Sequence, residues 1–482
     1  MVTRDNAPVA LRLARAVDAG RLRPRHGRID VAAIRRLTPA VERAARSIRA
    51  QHARLDAVDL DALTFPFDEV LRELAGQVGN AERAASATAT AFDLLPGMLG
   101  ADGPRSYLLL VQNNAEARST GGIPGSVAVL HADHGRVRMG FQGSAADITA
   151  PVGPVPGLPP SVVRVYGDTV VSDLRDTTFD PDFPDVARVA AAMLAERRGI
   201  RVDGVLSVDP VALAHLLAAT GPVTVEQQGH RVALTQANVV RALLNTTYQV
   251  LPDPDTQNDF FEATARAIFD TVMSGRGRSS RAVAGLGAGV AEHRVLLWSR
   301  HPGEQRQITG TAVSGELPSA IDDRHPQVGW YLNDAVAGKA EYYLDHQATV
   351  DAVSCRRGVQ RLDTSIALSS SMPHQHSGLS DFITGTGAFA PRGTIAVNLR
   401  LYGPVGGRVA GLTVAGRPVP ITVDRHEGRQ VAVVPLALAP GQRVVVRARL
   451  VSGPGQTAGP VLSSTPGIRS QPNGVRTTSA CD

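Results

Sequence analysis

The stretch Tyr107–Leu130, YLLLVQNNAEARSTGGIPGSVAVL, decides the fold. Tyr107-Leu108-Leu109-Leu110-Val111 is a short, unbroken apolar run of the kind carried by a strand covered on both faces. Gln112-Asn113-Asn114 ends it, and Ser126-Val127-Ala128-Val129-Leu130 begins a second strand. Between them lie Glu116, Arg118, Ser119 and Thr120, then Gly121-Gly122 and Pro124-Gly125. Glycines let a backbone turn sharply or approach a ligand closely, with N–H groups left to face an anion. Arg118 adds a planar, permanently charged donor matched to phosphate or carboxylate. The same residues also suit a hairpin loop whose Asn and Arg satisfy loop carbonyls, and chemistry alone leaves the two readings level.

Around this hairpin, composition sets the class. The 482 residues suffice for two or three domains, and 43% apolar with 20% charged residues fits a globular chain with a sizeable core. The formal charge of +5 is small for this length and nearly all of the positive charge is arginine, Lys339 being the single lysine. That excludes a Walker A loop, an S-x-x-K serine site and, unless Lys339 itself reacts, Schiff-base chemistry. An arginine bias spread over the whole chain reflects genomic composition, so no nucleic-acid partner is inferred. Cys355 and Cys481 lack metal-ligand spacing and form either one disulfide tying the C-terminal tail to the body or two free thiols. No run of about 18 apolar residues is present, and no signal peptide precedes the helical pattern that follows Met1.

Residues 1–99 read as a helical stalk. Ile34, Leu37, Val41, Ala44 and Ile48, then Val70, Leu71, Leu74 and Val78, recur at helical spacing, with helix starts at Thr38-Pro39 and Phe65-Pro66. Residues 100–340 alternate strands and helices, the pattern of an α/β domain with a mixed sheet. Expected there are strands at Val137–Phe141, Val170–Leu174 and Val202–Val208, and helices from Phe183, Pro210, Leu234 and Asp259. Asp182 and Asp209 stand as N-caps and Gly221 as a helix end. Gly275–Arg281 reads as a basic link, Gly285-Leu286-Gly287-Ala288-Gly289 as a loop, and His374 with His376 as solvent-exposed. Residues 341–482 turn to half-buried strands such as Thr394–Leu401 and Val444–Leu450 between Gly-rich turns, a β-sandwich with a flexible tail.

The signature Asn113-Asn114-Ala115-Glu116, Arg118, Thr120-Gly121-Gly122 and Gly125-Ser126 resembles DUF4012, a bacterial cell-envelope family of unknown function. The likeness continues through Asp180-Pro181-Asp182-Phe183-Pro184, Asp203-Gly204-Val205, Asp209-Pro210 with Leu213, and Thr220-Gly221-Pro222-Val223. That family is distantly similar to the LytR-CpsA-Psr phosphotransferases, which move glycopolymers from a polyprenyl-pyrophosphate carrier to the cell wall.

The resemblance implies an extracytoplasmic, membrane-associated protein that binds an anionic polyprenyl-phosphate-linked lipid or glycopolymer. Binding would fall to Asn113, Asn114, Glu116, Thr120, Gly121 and Gly122, with the lipid tail in an apolar cavity between sheet and helices. The alternative it implies is an active phosphotransferase with Arg118, Arg175 and Asp176 as catalytic residues and Mg²⁺ as cofactor. In that reading the two arginines clamp the diphosphate and the metal takes up charge on the leaving phosphate. The sequence departs from the enzymes in carrying Asn113-Asn114 where they place a metal-binding aspartate, and Ser119-Thr120-Gly121-Gly122 where they carry R-S-D-T. Glu116 and Asp147 are the candidate substitutes, and Arg266 is the arginine nearest their second arginine pair. Members of the family begin with a membrane helix ahead of the stalk, so this chain is expected to start inside the stalk.

Overall fold

The computed structural model describes residues 23–58, 67–227, 229–251, 253–277, 279–318, 324–469, 473–475 and 479–481. The pattern following Met1 and the helix start at Phe65-Pro66 lie outside them. Helix α1 (Val31–Asp56) packs along α2 (Phe67–Met98), with Ile34, Val41, Phe92 and Leu99 buried in the seam. The Asp30 carboxylate accepts from Ala33 N at 2.8 Å and starts α1. The helix therefore begins ahead of Thr38-Pro39, and Pro39 lies inside it. Among the described residues no helix is long and apolar enough to cross a membrane.

The central sheet comprises β1 (Arg105–Asn113), β2 (Ile123–Asp133), β3 (Arg136–Ser144), β4 (Gly204–Val208) and β5 (Leu296–Ser299) in the order β3-β2-β1-β4-β5. Strand β1 runs parallel to β4, and every other pairing is antiparallel. The sheet is mixed, as the α/β reading expects. Side chains alternate across a strand, so Leu108 and Leu110 face one side of β1 while Leu109 and Val111 face the other. On the first side α3 (Phe183–Arg198) buries Phe183, Val186, Ala190 and Leu194 against the sheet. On the second, α4 (Pro210–Thr220), α5 (Pro254–Met273) and the turn Ala242–Thr246 stand off and leave a cavity.

Three local readings differ. Val170–Leu174 is helical rather than a strand: a 3-10 turn covers Asp168–Val171 and a one-turn helix covers Leu174–Thr177. Asp173 caps that turn by accepting from Arg175 N at 2.9 Å, a local bond that overrides the β-branched run. Gly285–Gly289 lies within helix α6 (Ser279–Ala291). A Cβ on Gly285 would sit 2.6 Å from the His215 carbonyl oxygen, so the glycine lets α6 lie close on α4. Leu234 ends a hairpin strand paired with Val223, and the helical turns begin only at Val239.

The sandwich begins with β6 (Gln327–Asp334), upstream of the boundary expected near residue 340. It continues through β7 (Leu344–Arg356), β8 (Val359–Ser370), β9 (Ile395–Tyr402), β10 (Arg408–Val414), β11 (Val423–His426), β12 (Arg429–Leu438) and β13 (Arg443–Val451). One sheet contains β11-β12-β9-β6 and the other β10-β13-β8-β7. Trp330, Leu399, Leu362, Ile366 and Leu450 fill the core between them, and the Trp330 indole donates to Thr364 Oγ1 at 2.8 Å. Cys355 and Cys481 form a disulfide across 126 residues of sequence. That resolves the thiol alternative and fastens the tail to β7.

Candidate functional site

The loop joining β1 to β2 is closed by its own side chains. Gln112 Oε1 accepts from Gly122 N at 2.8 Å, and its amide donates to Ser207 Oγ at 2.8 Å. Asn113 Oδ1 accepts from Ala115 N at 3.0 Å, and its amide donates to the Tyr248 hydroxyl. The Asn114 amide donates to Asp209 Oδ2 at 3.1 Å, and Arg294 holds the same oxygen at 2.7 Å. The N–H groups of Glu116 and Gly121 go to loop carbonyls. The N–H of Ser119 goes to Asn333 Oδ1 at 2.9 Å. The sequence leaves these groups free to face an anion; in the structure they are spent inside the loop and on β6. Thr120 bonds Gln112 and is buried. Gly122 is held by space: a Cβ there would lie 2.2 Å from the Asn113 carbonyl oxygen.

Arg118 is 5% exposed. Its guanidinium lies 2.9 Å from Glu116, 3.7 Å from Asp334 and 3.8 Å from Asp176, and 4.5 Å over the Phe179 ring. Burial pushes the Glu116 carboxyl up, but Lys339 and Arg118 offset this and hold it below its usual range. Lys339 pairs with Glu116 and lies over the Tyr248 ring. Burial and Glu116 push Asp334 up to about 7, with Arg118 opposing. Burial likewise raises Asp176, again against Arg118. Arg175 is exposed and turns back to Asp173 at 2.9 Å.

These side chains line a cleft of about 500 Å³ between the hairpin loop, the Leu174–Thr177 turn and the end of β6. The structure thus brings Glu116, Arg118, Arg175 and Asp176 to one place. Asn113, Asn114, Thr120, Gly121 and Gly122 brace the loop behind it. Asp147 lies elsewhere, accepting from Ser144 N at 2.8 Å, and Arg266 is an exposed residue of α5. Sequence reasoning missed Asp334, Asn333 and Tyr248, for which no local motif exists. Lys339 alone carried a signal, as the single lysine.

The second space is apolar. A cavity of about 220 Å³ lies between Leu109, Val111 and Met139 of the sheet and Leu213, Leu216, Leu243, Phe261, Ile268 and Phe269 of the helices. Gln112, Asn113, Ser126 and Tyr248 make a polar end, and Thr264 of α5 adds a buried hydroxyl without a partner. Tyr248 and Lys339 stand between this end and Glu116 of the cleft.

The hairpin with its loop, the strand Gly204–Val208 and the cap at Asp209 are the features that carry the family signature, and they form one continuous unit here. Residues 102–248 match the DUF4012 family model. The family is described as a protein of unknown function. Among solved structures, the chain is similar to EF0465 of Enterococcus faecalis, described as a transcriptional regulator. The identity is 14%, over 45% of this chain and 74% of that one, with a TM-score of 0.29. It is also similar to Bacillus subtilis TagV, at 13% identity over 43% and 81% of the two chains, with a TM-score of 0.27. Likenesses this distant say nothing about activity. The comparison with curated proteins gave no match.

Proposed function

We propose that this protein binds a polyprenyl-phosphate-type lipid of the cell envelope, free or linked to glycopolymer. A hydrocarbon segment would enter the cavity and the anionic head would lie at the cleft. The cavity beside the loop carries the reading. At about 220 Å³ and almost wholly apolar in lining, it exceeds the ~150 Å³ apolar cavity that stays dry and takes up benzene. Tyr248 in its lining adjoins Lys339 and, through it, Glu116 of the cleft, which suits a ligand with a greasy tail and a polar head.

The cleft is not a ready phosphate clamp. Arg118, Lys339 and Arg175 face Glu116, Asp173, Asp176 and Asp334, so an anion meets three cations already matched by carboxylates. Protonation of Asp334 relieves this by one charge. Arg175 is the side chain free to turn outward, because its partner Asp173 is a neighbour on the surface. The Mg²⁺ that the resemblance implies does not fit the donors present. Asn113 Oδ1 is taken by Ala115 N, Asn114 Oδ1 is unpartnered but a neutral amide oxygen, and Glu116, Asp176 and Asp334 all lie against Arg118. Binding, rather than metal-assisted phosphoryl transfer, is therefore the function the geometry supports best.

The test is mass spectrometry of lipids extracted from the purified chain, with Leu216→Trp to fill the cavity and Arg175→Ala to empty the mouth. The proposal expects a retained prenyl phosphate, lost in Leu216→Trp and weakened in Arg175→Ala. Equal retention in all three, or none with polyprenyl phosphate added, contradicts it.

A further inference from the structure

Away from the loop, the segment leading into α3 meets the end of β11. Asp180 comes from that segment, Asp185 from the first turn of α3 and His426 from β11, at 0%, 4% and 0% exposure. One ligand atom from each can be chosen so that all three lie within 4.8 Å of one another. Two of these groups are unsatisfied: Asp180 Oδ2 and His426 Nε2 have no hydrogen-bond partner. A buried, unpaired carboxylate oxygen and a buried, unpaired imidazole nitrogen at one point require an explanation, because such atoms are rare in folded proteins.

The surroundings orient the imidazole. His426 Nδ1 is held by the Tyr402 hydroxyl at 2.9 Å, and Tyr402 is bonded in turn to Tyr166. With Nδ1 donating, the lone pair of Nε2 is free, the arrangement that outer-shell partners impose on metal-bound histidines. Asp180 Oδ1 is fixed by Asp182 N at 3.0 Å, which leaves Oδ2 as the available atom. Asp185 is paired with Arg188 through one oxygen. Asp182 adds a third, half-buried carboxylate, and caps Asp185 N and Leu317 N. The nearby Arg429 spends its donors on the carbonyls of Gly403, Pro318 and Gln327 rather than on the acids.

We propose that Asp180, Asp185 and His426 form a buried Zn²⁺ site that clamps the β-sandwich onto helix α3. One imidazole nitrogen with two carboxylate oxygens is a donor set zinc accepts, and a divalent ion neutralises the two acids. The ligands come from two different domains, so the ion acts as a cross-link that forms only when they dock. This site is separate from the cleft and does not depend on the lipid reading.

The experiment unfolds the full chain in guanidinium with EDTA, refolds it with or without ZnCl₂, removes free metal, and measures bound zinc and Tm. The wild type is expected to retain about one zinc per chain, and His426→Gln and Asp180→Asn under about a tenth of that. Zinc is expected to raise the wild-type Tm by roughly 5 °C or more and to leave both variants unmoved. Refolding the wild type with Co²⁺ should give visible d–d absorption, a readout that does not require the variants to fold. Wild type that holds no zinc and shows no cobalt bands overturns the proposal. So do folded variants that bind as much zinc as wild type, which would place the metal on surface histidines.

Discussion

Replacing Arg118 with methionine keeps the length of the side chain and removes the cation that Asp176 and Asp334 face and that Glu116 shares with Lys339. The guanidinium and its nearest partner are 6% and 10% exposed, so water cannot take over the charge. Breaking a buried pair from one side costs about 3–5 kcal/mol, because the remaining charges are left uncompensated. For a domain of this size that corresponds to a fall in Tm of roughly 10 °C. The loss should depend on pH. In wild type at pH 8 Asp334, with its pKa near 7, is ionised and gains from the Arg118 cation; at pH 5 it carries a proton and gains less, so the loss should be smaller. The assay is guanidinium unfolding of both proteins at the two pH values, with Arg175→Met as the comparison. Arg175 and Asp173 are 55% and 22% exposed, so losing that pair should cost under about 1 kcal/mol. An Arg118→Met protein as stable as Arg175→Met at pH 8 would refute the view that Arg118 braces the loop.

Gly122→Ala should abolish soluble expression or lower Tm sharply, because its Cβ would meet the Asn113 carbonyl at 2.2 Å; an unchanged melting curve would show that the loop is looser than described. Asp334 has a folded pKa of about 7 against 3.8, so between those values the unfolded chain loses a proton that the folded chain keeps. Stability should therefore fall as pH rises through that window, and Asp334→Asn should fall less steeply than wild type in unfolding measured from pH 4 to 8. Cys355→Ser removes a link spanning 126 residues, worth about 5 kcal/mol in chain entropy, and should lower the unfolding midpoint of the sandwich as reductant does in wild type.

What was legible in the sequence was local. The apolar run of β1, the caps at Asp182 and Asp209 and the helix end at Gly221 each depend on residues within a turn of one another, and each forms as expected. Val170–Leu174 misled because β-branched residues favour strands only when no competing cap is at hand, and Asp173 supplies one. Gly285–Gly289 looked like a loop because glycine marks both loops and close helix contacts, and only the His215 backbone distinguishes them. The loop itself shows why sites are harder than folds. Its residue types announce donors, but not what they donate to. Ser119 meets Asn333 across 214 residues, and Arg118 meets Asp334 from the same strand. That strand closes over the loop as part of the sandwich, a contact no spacing within the signature encodes.

The central claim is that the space between the sheet and α4 with α5 receives a lipid tail. The most direct measurement is photolabelling of the purified chain with a diazirine-bearing polyprenyl phosphate, followed by peptide mapping. The account predicts label on residues 210–220 and 254–273, around Leu216, Phe261 and Phe269, competed by unlabelled polyprenyl phosphate and absent in Leu216→Trp. Label spread over the exposed surface, or label on those helices that Leu216→Trp leaves intact, would contradict it.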